Sequence, residues 1–251
     1  MIQQQIFDIE GIENYNNKDK IILDLCGGTG SWSKPYKNAG YDVRIITLPD
    51  YNVSNVVFQK EYMRFLGNTF EKIIDVDYKN VYGILAAPPC TQFSIARNDK
   101  TAKQPRNLKK GMESVNACLK IIHNCLYSNY RIGQGLRFWA LENPATGYLK
   151  MFLGKPAYVF QPYEHGDPYT KLTALWGIFN NPIKNPVEPI KIKYETPKGK
   201  MYRDFNSNVE RFAHLKNIPN GYCEKTGYNR KQVLRSMTPD NFAIAFYKAN
   251  Q

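Results

Sequence analysis

Cysteine and histidine are scarce in this chain, and acidic residues are outnumbered by basic ones. Of 251 residues, five are cysteine and three are histidine. Cys26, Cys90, Cys118, Cys125 and Cys223 are odd in number, and no two have Cys-x-x-Cys spacing. That pattern speaks against a disulfide framework and against a structural zinc site, so no metal is expected. A reducing, cytoplasmic setting fits thiols used this way. No stretch approaches the roughly 20 apolar residues of a membrane span. The opening residues also lack the apolar centre of a secretory leader. The expectation is a soluble, intracellular protein that avoids membranes, with no obligate protein partner and a monomeric state.

The shortage of acid leaves 34 Lys and Arg against 22 Asp and Glu, a formal charge of +12. Such a surplus suits a polyanionic partner, because every phosphate contacted releases counterions. With 43% apolar and 14% aromatic residues, the chain can bury a substantial core. Its length suits one catalytic domain with a small lobe.

Short apolar runs alternate with amphipathic stretches. Strands are predicted over 20–25, 42–48, 73–76, 82–87, 136–141 and 173–178. Helices are predicted over 33–40, 59–70, 112–130 and 239–250, the third from Val115, Leu119, Ile122 and Leu126 at near-helical spacing. Alternation of this kind implies an α/β fold, Rossmann-like, with a mostly parallel sheet, flanking helices and ligands at the carboxyl ends of the strands. Proline recurs between Phe179 and Lys231 among basic and aromatic residues. The expected organisation is a catalytic domain over 1–178, a small irregular lobe over 179–235, and a closing helix over 236–251 that returns to the first part.

Four segments at predicted strand ends carry chemistry. Asp24-Leu25-Cys26-Gly27-Gly28-Thr29-Gly30-Ser31-Trp32 follows the first strand, and glycines there let the backbone approach a nucleotide-like ligand. No Walker-type Lys-Ser/Thr follows, so a triphosphate cradle is not expected; a plain strand-to-helix turn is the bland reading. Ala86-Ala87-Pro88-Pro89-Cys90-Thr91-Gln92-Phe93-Ser94 places a cysteine after two stiffening prolines. Most free cysteines are simply buried. Here, however, a loop bearing Arg97, Lys100, Lys103, Arg106, Lys109 and Lys110 follows, which would favour thiolate and grip phosphates. Leu141-Glu142-Asn143-Pro144 puts a carboxyl at a third strand end, with a turn as the alternative. Gly166-Asp167-Pro168-Tyr169-Thr170-Lys171-Leu172-Thr173 reads alone as a turn entering a strand.

In this order the four segments resemble the DNA (cytosine-5) methyltransferase family. The first is similar to its Asp-Leu-Phe-x-Gly-x-Gly-Gly cofactor loop, with Cys26 and Ser31 departing from that pattern. The second is similar to Pro-Cys-Gln-x-Phe-Ser, with Thr91 in place of the Gln. The third resembles Glu-Asn-Val, with Pro144 for Val. The fourth resembles Gly-x-Pro-Gln-x-Arg-x-Arg, with Tyr169, Lys171 and Thr173 where Gln and the two Arg stand. The resemblance spans residues 20–178 and 235–250.

It implies S-adenosylmethionine as cofactor, held by Asp24, Cys26, Gly27, Gly28, Thr29, Gly30, Ser31, Trp32, Pro88 and Asn241, with Asp50 and Asn52 as candidate contacts after the second strand. It implies Cys90 as nucleophile, Glu142 as the acid at the base, Asn143 as a positioning group, and Lys171 in place of the family's arginine. Double-stranded DNA is the implied partner. Gln92, Ser94, Arg97, Arg106, Tyr169 and Thr173 are candidate contacts, and Arg203, Arg211, Arg230 and Lys231 are further ones in the lobe. The target base would be flipped from the duplex. A bacterial or phage restriction-modification setting is in keeping with such an enzyme. The alternatives are a tRNA cytosine-5 methyltransferase and a catalytically impaired nucleic-acid-binding relative.

Overall fold

A computed structural model describes residues 17–69, 71–95, 97, 104–130, 136–196, 199–204 and 218–251. Its centre is a six-stranded sheet. The strands are β1 (Ile21–Leu25), β2 (Asp42–Ile46), β6 (Val81–Ala86), β7 (Phe138–Pro144), β8 (Tyr158–Phe160) and β9 (Thr173–Ile178). Their order across the sheet is β2-β1-β6-β7-β9-β8. The pairs β1–β2, β1–β6 and β6–β7 are parallel, whereas β9 runs antiparallel to both β7 and β8. The expected α/β, Rossmann-like architecture is therefore present.

Strand β1 is buried at every position, as a run of Ile, Leu and one Asp flanked by strands on both sides requires. Between β1 and β2 lies α1 (Lys34–Asn38), and between β6 and β7 lies the long helix α2 (Leu108–Tyr130). Val115, Cys118, Ile121, Ile122 and Cys125 of α2 are buried against Leu23, Leu25, Ile84 and Leu141 of the sheet. The other face is covered by α6 (Asp240–Ala249). Its Phe242 stacks on Phe160 at 3.8 Å between ring centres, and Phe246 meets Trp32 edge-on at 5.4 Å. Helix α6 thus returns to the sheet from the far end of the sequence.

One predicted helix is a strand instead. Residues 59–70 contain β4 (Tyr62–Gly67), the middle of an antiparallel sheet with β3 (Tyr51–Phe58) and β5 (Ile73–Asp77). Met63 and Phe65 are its buried residues, which is the two-residue period of a strand. Met63 and Leu66 at three-residue spacing had mimicked a helix face. The chain beyond β9 forms the hairpin of β10 (Lys191–Thr196) and β11 (Gly199–Asp204), then α4 (Tyr222–Thr226) and α5 (Arg230–Ser236). The remaining short helix, α3 (Lys150–Leu153), follows β7. Among the described residues, no helix is long and apolar enough to cross a membrane.

Candidate functional site

Neighbouring strands β1 and β6 mark the point where the chain's path across the sheet reverses: β2 lies on one side and β7 on the other. Ligands of open α/β sheets gather outside the carboxyl ends at such a point. Both the glycine loop and the Cys90 turn leave from there. The Ala87 N–H donates to the Leu25 carbonyl at 2.9 Å, so the two loops start side by side.

The glycine loop is held from beneath. The Cys26 N–H donates to the Ile46 carbonyl at 2.8 Å, and the Gly28 N–H donates to Thr47 Oγ1 at 3.2 Å. Thr29 and Ser31 join their hydroxyls at 2.6 Å. Cys26 adopts φ +57°, a left-handed conformation that few non-glycine residues take.

Asp24 is fully buried, and Ser33 Oγ donates to its Oδ2 at 2.5 Å. Its Oδ1 has no hydrogen-bond partner among the described residues. A Cβ on Gly27 would stand 2.2 Å from that oxygen, so only glycine fits above the carboxyl. Burial pushes Asp24 up to about 6, against the opposing hydrogen bonds from Ser33. An unsatisfied buried carboxyl oxygen below a glycine loop is an acceptor suited to a cationic or N–H-bearing ligand. The residues present thus fit the head of an S-adenosylmethionine molecule.

Trp32 has one even-handed outcome. It is 2% exposed and packs in the aromatic core with Phe242 and Phe246, yet it also lines a narrow cleft. The cleft is bounded further by Glu142, Phe160, Lys171, Thr173 and the Thr238-Pro239 pair, and has no room for a water molecule.

The Cys90 turn is clamped at both ends. The Cys90 carbonyl accepts from the N–H groups of Phe93 at 2.9 Å and Ser94 at 2.8 Å. Asn143 Nδ2 donates to the Pro88 carbonyl at 3.0 Å, a buried bond joining this turn to the end of β7. Phe93 is fully buried, and its carbonyl accepts from the Tyr148 N–H at 2.9 Å. Cys90 itself is half-buried.

Beside it, Lys171 Nζ lies 4.0 Å from Glu142 Oε1, with both side chains less than one-fifth exposed. Cys90, Glu142, Asn143 and Lys171, drawn from three separate sequence segments, meet at one end of the sheet. Burial pushes the Cys90 thiol above its ordinary value, and the Glu142 charge pushes the same way; Lys171 and Arg235 pull it down without prevailing. The expectation that basic surroundings favour thiolate is corrected accordingly: desolvation and a carboxylate outweigh two cations. Arg235, on α5, had no sequence signal of its own, being remote from the other segments along the chain.

Several predicted contacts are placed elsewhere. Tyr169 is 1% exposed, packed with Val233, Leu234 and Met237 beneath α5, where it cannot touch nucleic acid. Thr173 is equally buried, and its hydroxyl donates to the Lys171 carbonyl at 2.7 Å. Both are corrected to scaffold positions. Gln92 Oε1 accepts from Arg97 at 3.0 Å and from the Asn107 N–H at 2.8 Å, while Arg106 donates to the Gln92 and Ser94 carbonyls and lies over the Tyr148 ring. Gln92, Ser94, Arg97 and Arg106 thus knit the loop together.

Asn241 donates to the Gly166 carbonyl at 3.0 Å and takes the Asp167 carboxylate on its own N–H, tying α6 to that turn. Asn52 is exposed on β3 and accepts from the Ser54 N–H at 3.0 Å. Asp50, in the turn after β2, accepts from both Lys72 and Lys225. Arg203 is in β11, and Arg230 and Lys231 begin α5 as exposed residues. Lys100, Lys103 and Arg211 lie outside the described residues.

No protein-family model matches this chain, and no curated protein matches it. Among solved structures it is similar to a methyltransferase of Entamoeba histolytica, EhMeth, at 10% identity. That similarity covers 92% of this chain and 97% of the other, with a TM-score of 0.41.

Proposed function

We propose that this chain transfers a methyl group from S-adenosylmethionine to carbon 5 of cytosine in duplex DNA. The observation that carries the reading is the meeting of Cys90 with the Glu142–Lys171 pair at the carboxyl ends of β6 and β7, beside the Asp24–Trp32 loop. The +12 charge of the chain suits a polyanionic substrate.

Cytosine C5 is a weak nucleophile until a thiolate adds at C6. Cys90 Sγ makes that bond, and the ring's electron density moves toward C5. Glu142 holds a proton at N3, which stabilises the adduct. Cys90 rests as the thiol, because burial and, after it, the Glu142 charge oppose its ionisation. Moving the Cys90 proton by way of Glu142 to N3 creates the nucleophile, returns Glu142 to its carboxylate form and leaves the proton on the ring that the thiolate attacks. Lys171 keeps Glu142 aimed at the base. S-adenosylmethionine, when bound, supplies an electrophilic methyl group to C5. Loss of the C5 proton then lets Cys90 leave. Asn143 is a positioning residue, acting through Pro88 on the Cys90 turn. Reaching C6 at all requires the base to be extruded from the stack.

Bisulfite sequencing of DNA from cells expressing the chain tests this, with Cys90→Ala as control. Protected cytosines in a common sequence context that vanish with Cys90→Ala are expected. Unmodified DNA, with labelled methyl groups going to tRNA instead, would replace the reading with its RNA counterpart.

A further inference from the structure

Helix α4 lies over the glycine loop. The hydroxyl of Tyr222 is 3.5 Å from where a Cβ on Gly28 would stand, and Tyr222 is near enough for the Asp24 charge to act on it. One turn on, Lys225 donates to Asp50 Oδ2, while Lys72 holds Oδ1 of the same carboxylate. The helix is only five residues long and is bracketed by Gly221 and Gly227 at φ +71° and +69°. Neither glycine would meet any neighbour within 4 Å on gaining a Cβ. The helix is held on its inner side by Tyr222 and Cys223, which pack on the cluster of Tyr169, Val233, Leu234 and Met237.

From this geometry we infer that α4 closes over the donor at the glycine loop, and that Lys225 competes with the donor for the Asp50 carboxylate. The inference rests on the donor reading above. Asp50 follows β2, next to the glycine loop that β1 feeds, where a carboxylate can accept both hydroxyls of a ribose. In the described conformation both its oxygens are already engaged by lysines. A ribose that takes both Asp50 oxygens must displace Lys225 as well as Lys72, and release of the Lys225 ion pair frees one end of α4 to swing between its two glycines. The Lys225 side chain is about half exposed and the Asp50 side chain one-quarter exposed. An ion pair of that kind is weak and sensitive to salt, as a releasable latch requires.

The probe is S-adenosylhomocysteine, whose net neutrality limits direct effects of salt on the ligand, measured by titration calorimetry on the full chain. Lys225→Gln is expected to bind it about two- to five-fold more tightly than the wild type, the range an exposed ion pair allows. Raising the salt from about 0.05 to about 0.5 M should tighten wild-type binding more than that of Lys225→Gln, in which only the Lys72 pair remains on Asp50. This salt response serves as a second readout that needs no variant. Equal affinity of Lys225→Gln and wild type, or weaker binding by the variant, overturns the competition. Asp50→Asn separates the two levels of the reading. If it binds as tightly as wild type, Asp50 is not contested and this inference falls, with the donor site intact. If no variant and no wild type binds the probe, the proposed function itself fails and takes the inference with it.

Discussion

Asn143 reaches from the end of β7 to the Pro88 carbonyl, 3.0 Å away, and this buried bond fixes the Cys90 turn relative to the strand that carries Glu142. The two residues are far apart in sequence, but β6 and β7 pair in parallel, with Ala86 opposite Leu141, so the two strand ends emerge together. Removing the amide leaves a buried carbonyl unsatisfied, at a cost of about 1–3 kcal/mol. Asn143→Ala should therefore lower the thermal midpoint by several degrees in calorimetry and slow methyl transfer. Asn143→Asp, which offers no N–H to the carbonyl and adds a buried charge, should be worse on both counts.

Cys90 should be slow to alkylate at neutral pH. Its ionisation is held above the ordinary thiol value by burial and by Glu142. Iodoacetamide labelling followed by mass spectrometry should show a rate that climbs through the alkaline range. Glu142→Gln removes the opposing charge and should shift that profile to lower pH, speeding labelling while abolishing methyl transfer. Lys171→Met should shift it the other way. A profile unmoved by Glu142→Gln would place the carboxylate away from the sulfur.

Asp24 gives stability a specific pH dependence. Its folded value is pushed up to about 6 from 3.8, so the folded chain holds this proton more tightly than the unfolded one. Stability from this group is greatest below the unfolded value. It declines as pH rises through the window between 3.8 and about 6, by about 3 kcal/mol in all. Asp24→Asn should flatten that part of the melting-temperature profile and raise the midpoint at pH 7, while weakening donor binding. A profile identical to wild type would show that the carboxyl is solvated.

Gly27→Ala tests the loop from above. Its Cβ would lie 2.2 Å from the carboxyl of the fully buried Asp24, so the carboxyl or the loop must shift. Overpacking of this order costs about 1–3 kcal/mol. The variant should melt earlier and lose affinity for S-adenosylhomocysteine. Unchanged binding would put the donor elsewhere.

Arg235 should be felt in substrate binding. It is exposed on α5 and near enough to Cys90 for its charge to act there. If it meets a phosphate of the extruded nucleotide, Arg235→Gln should raise the KM for DNA more than it lowers kcat. It should also reduce the slope of log affinity against log salt by about 1. An unchanged slope with a reduced kcat would assign it to the sulfur alone.

The sheet was legible because β1, β6, β7 and β9 are apolar runs ended by glycine, proline or polar clusters, and α2 carries a helical period over about six turns and α6 over nearly three. β4 was not, since Met63, Leu66 and the aromatics around them satisfy two periods at once and only pairing with β3 and β5 decides between them. The segments around Cys90 and Glu142 were visible as strand ends with unusual chemistry. Burial of Tyr169 was not, because it depends on α5 settling over it from later in the chain, and that of Thr173 depends on its place between β7 and β8. The same holds for Lys225 on Asp50 and for Arg235 near Cys90: each contact joins residues whose local sequence says nothing of the other. The internal bonding of Gln92, Arg97 and Arg106 was hidden for a different reason, since a basic loop reads alike whether its donors face phosphates or its own carbonyls.

The most direct measurement is trapping on duplex DNA containing 5-fluorocytosine, in the presence of S-adenosylmethionine. Fluorine at C5 cannot depart as a proton does, so the thioether at C6 persists. The account predicts a denaturant-resistant protein–DNA species whose cross-linked peptide contains Cys90, and which Cys90→Ser does not form. Methylated DNA without any such species, or a cross-link through another residue, would contradict it.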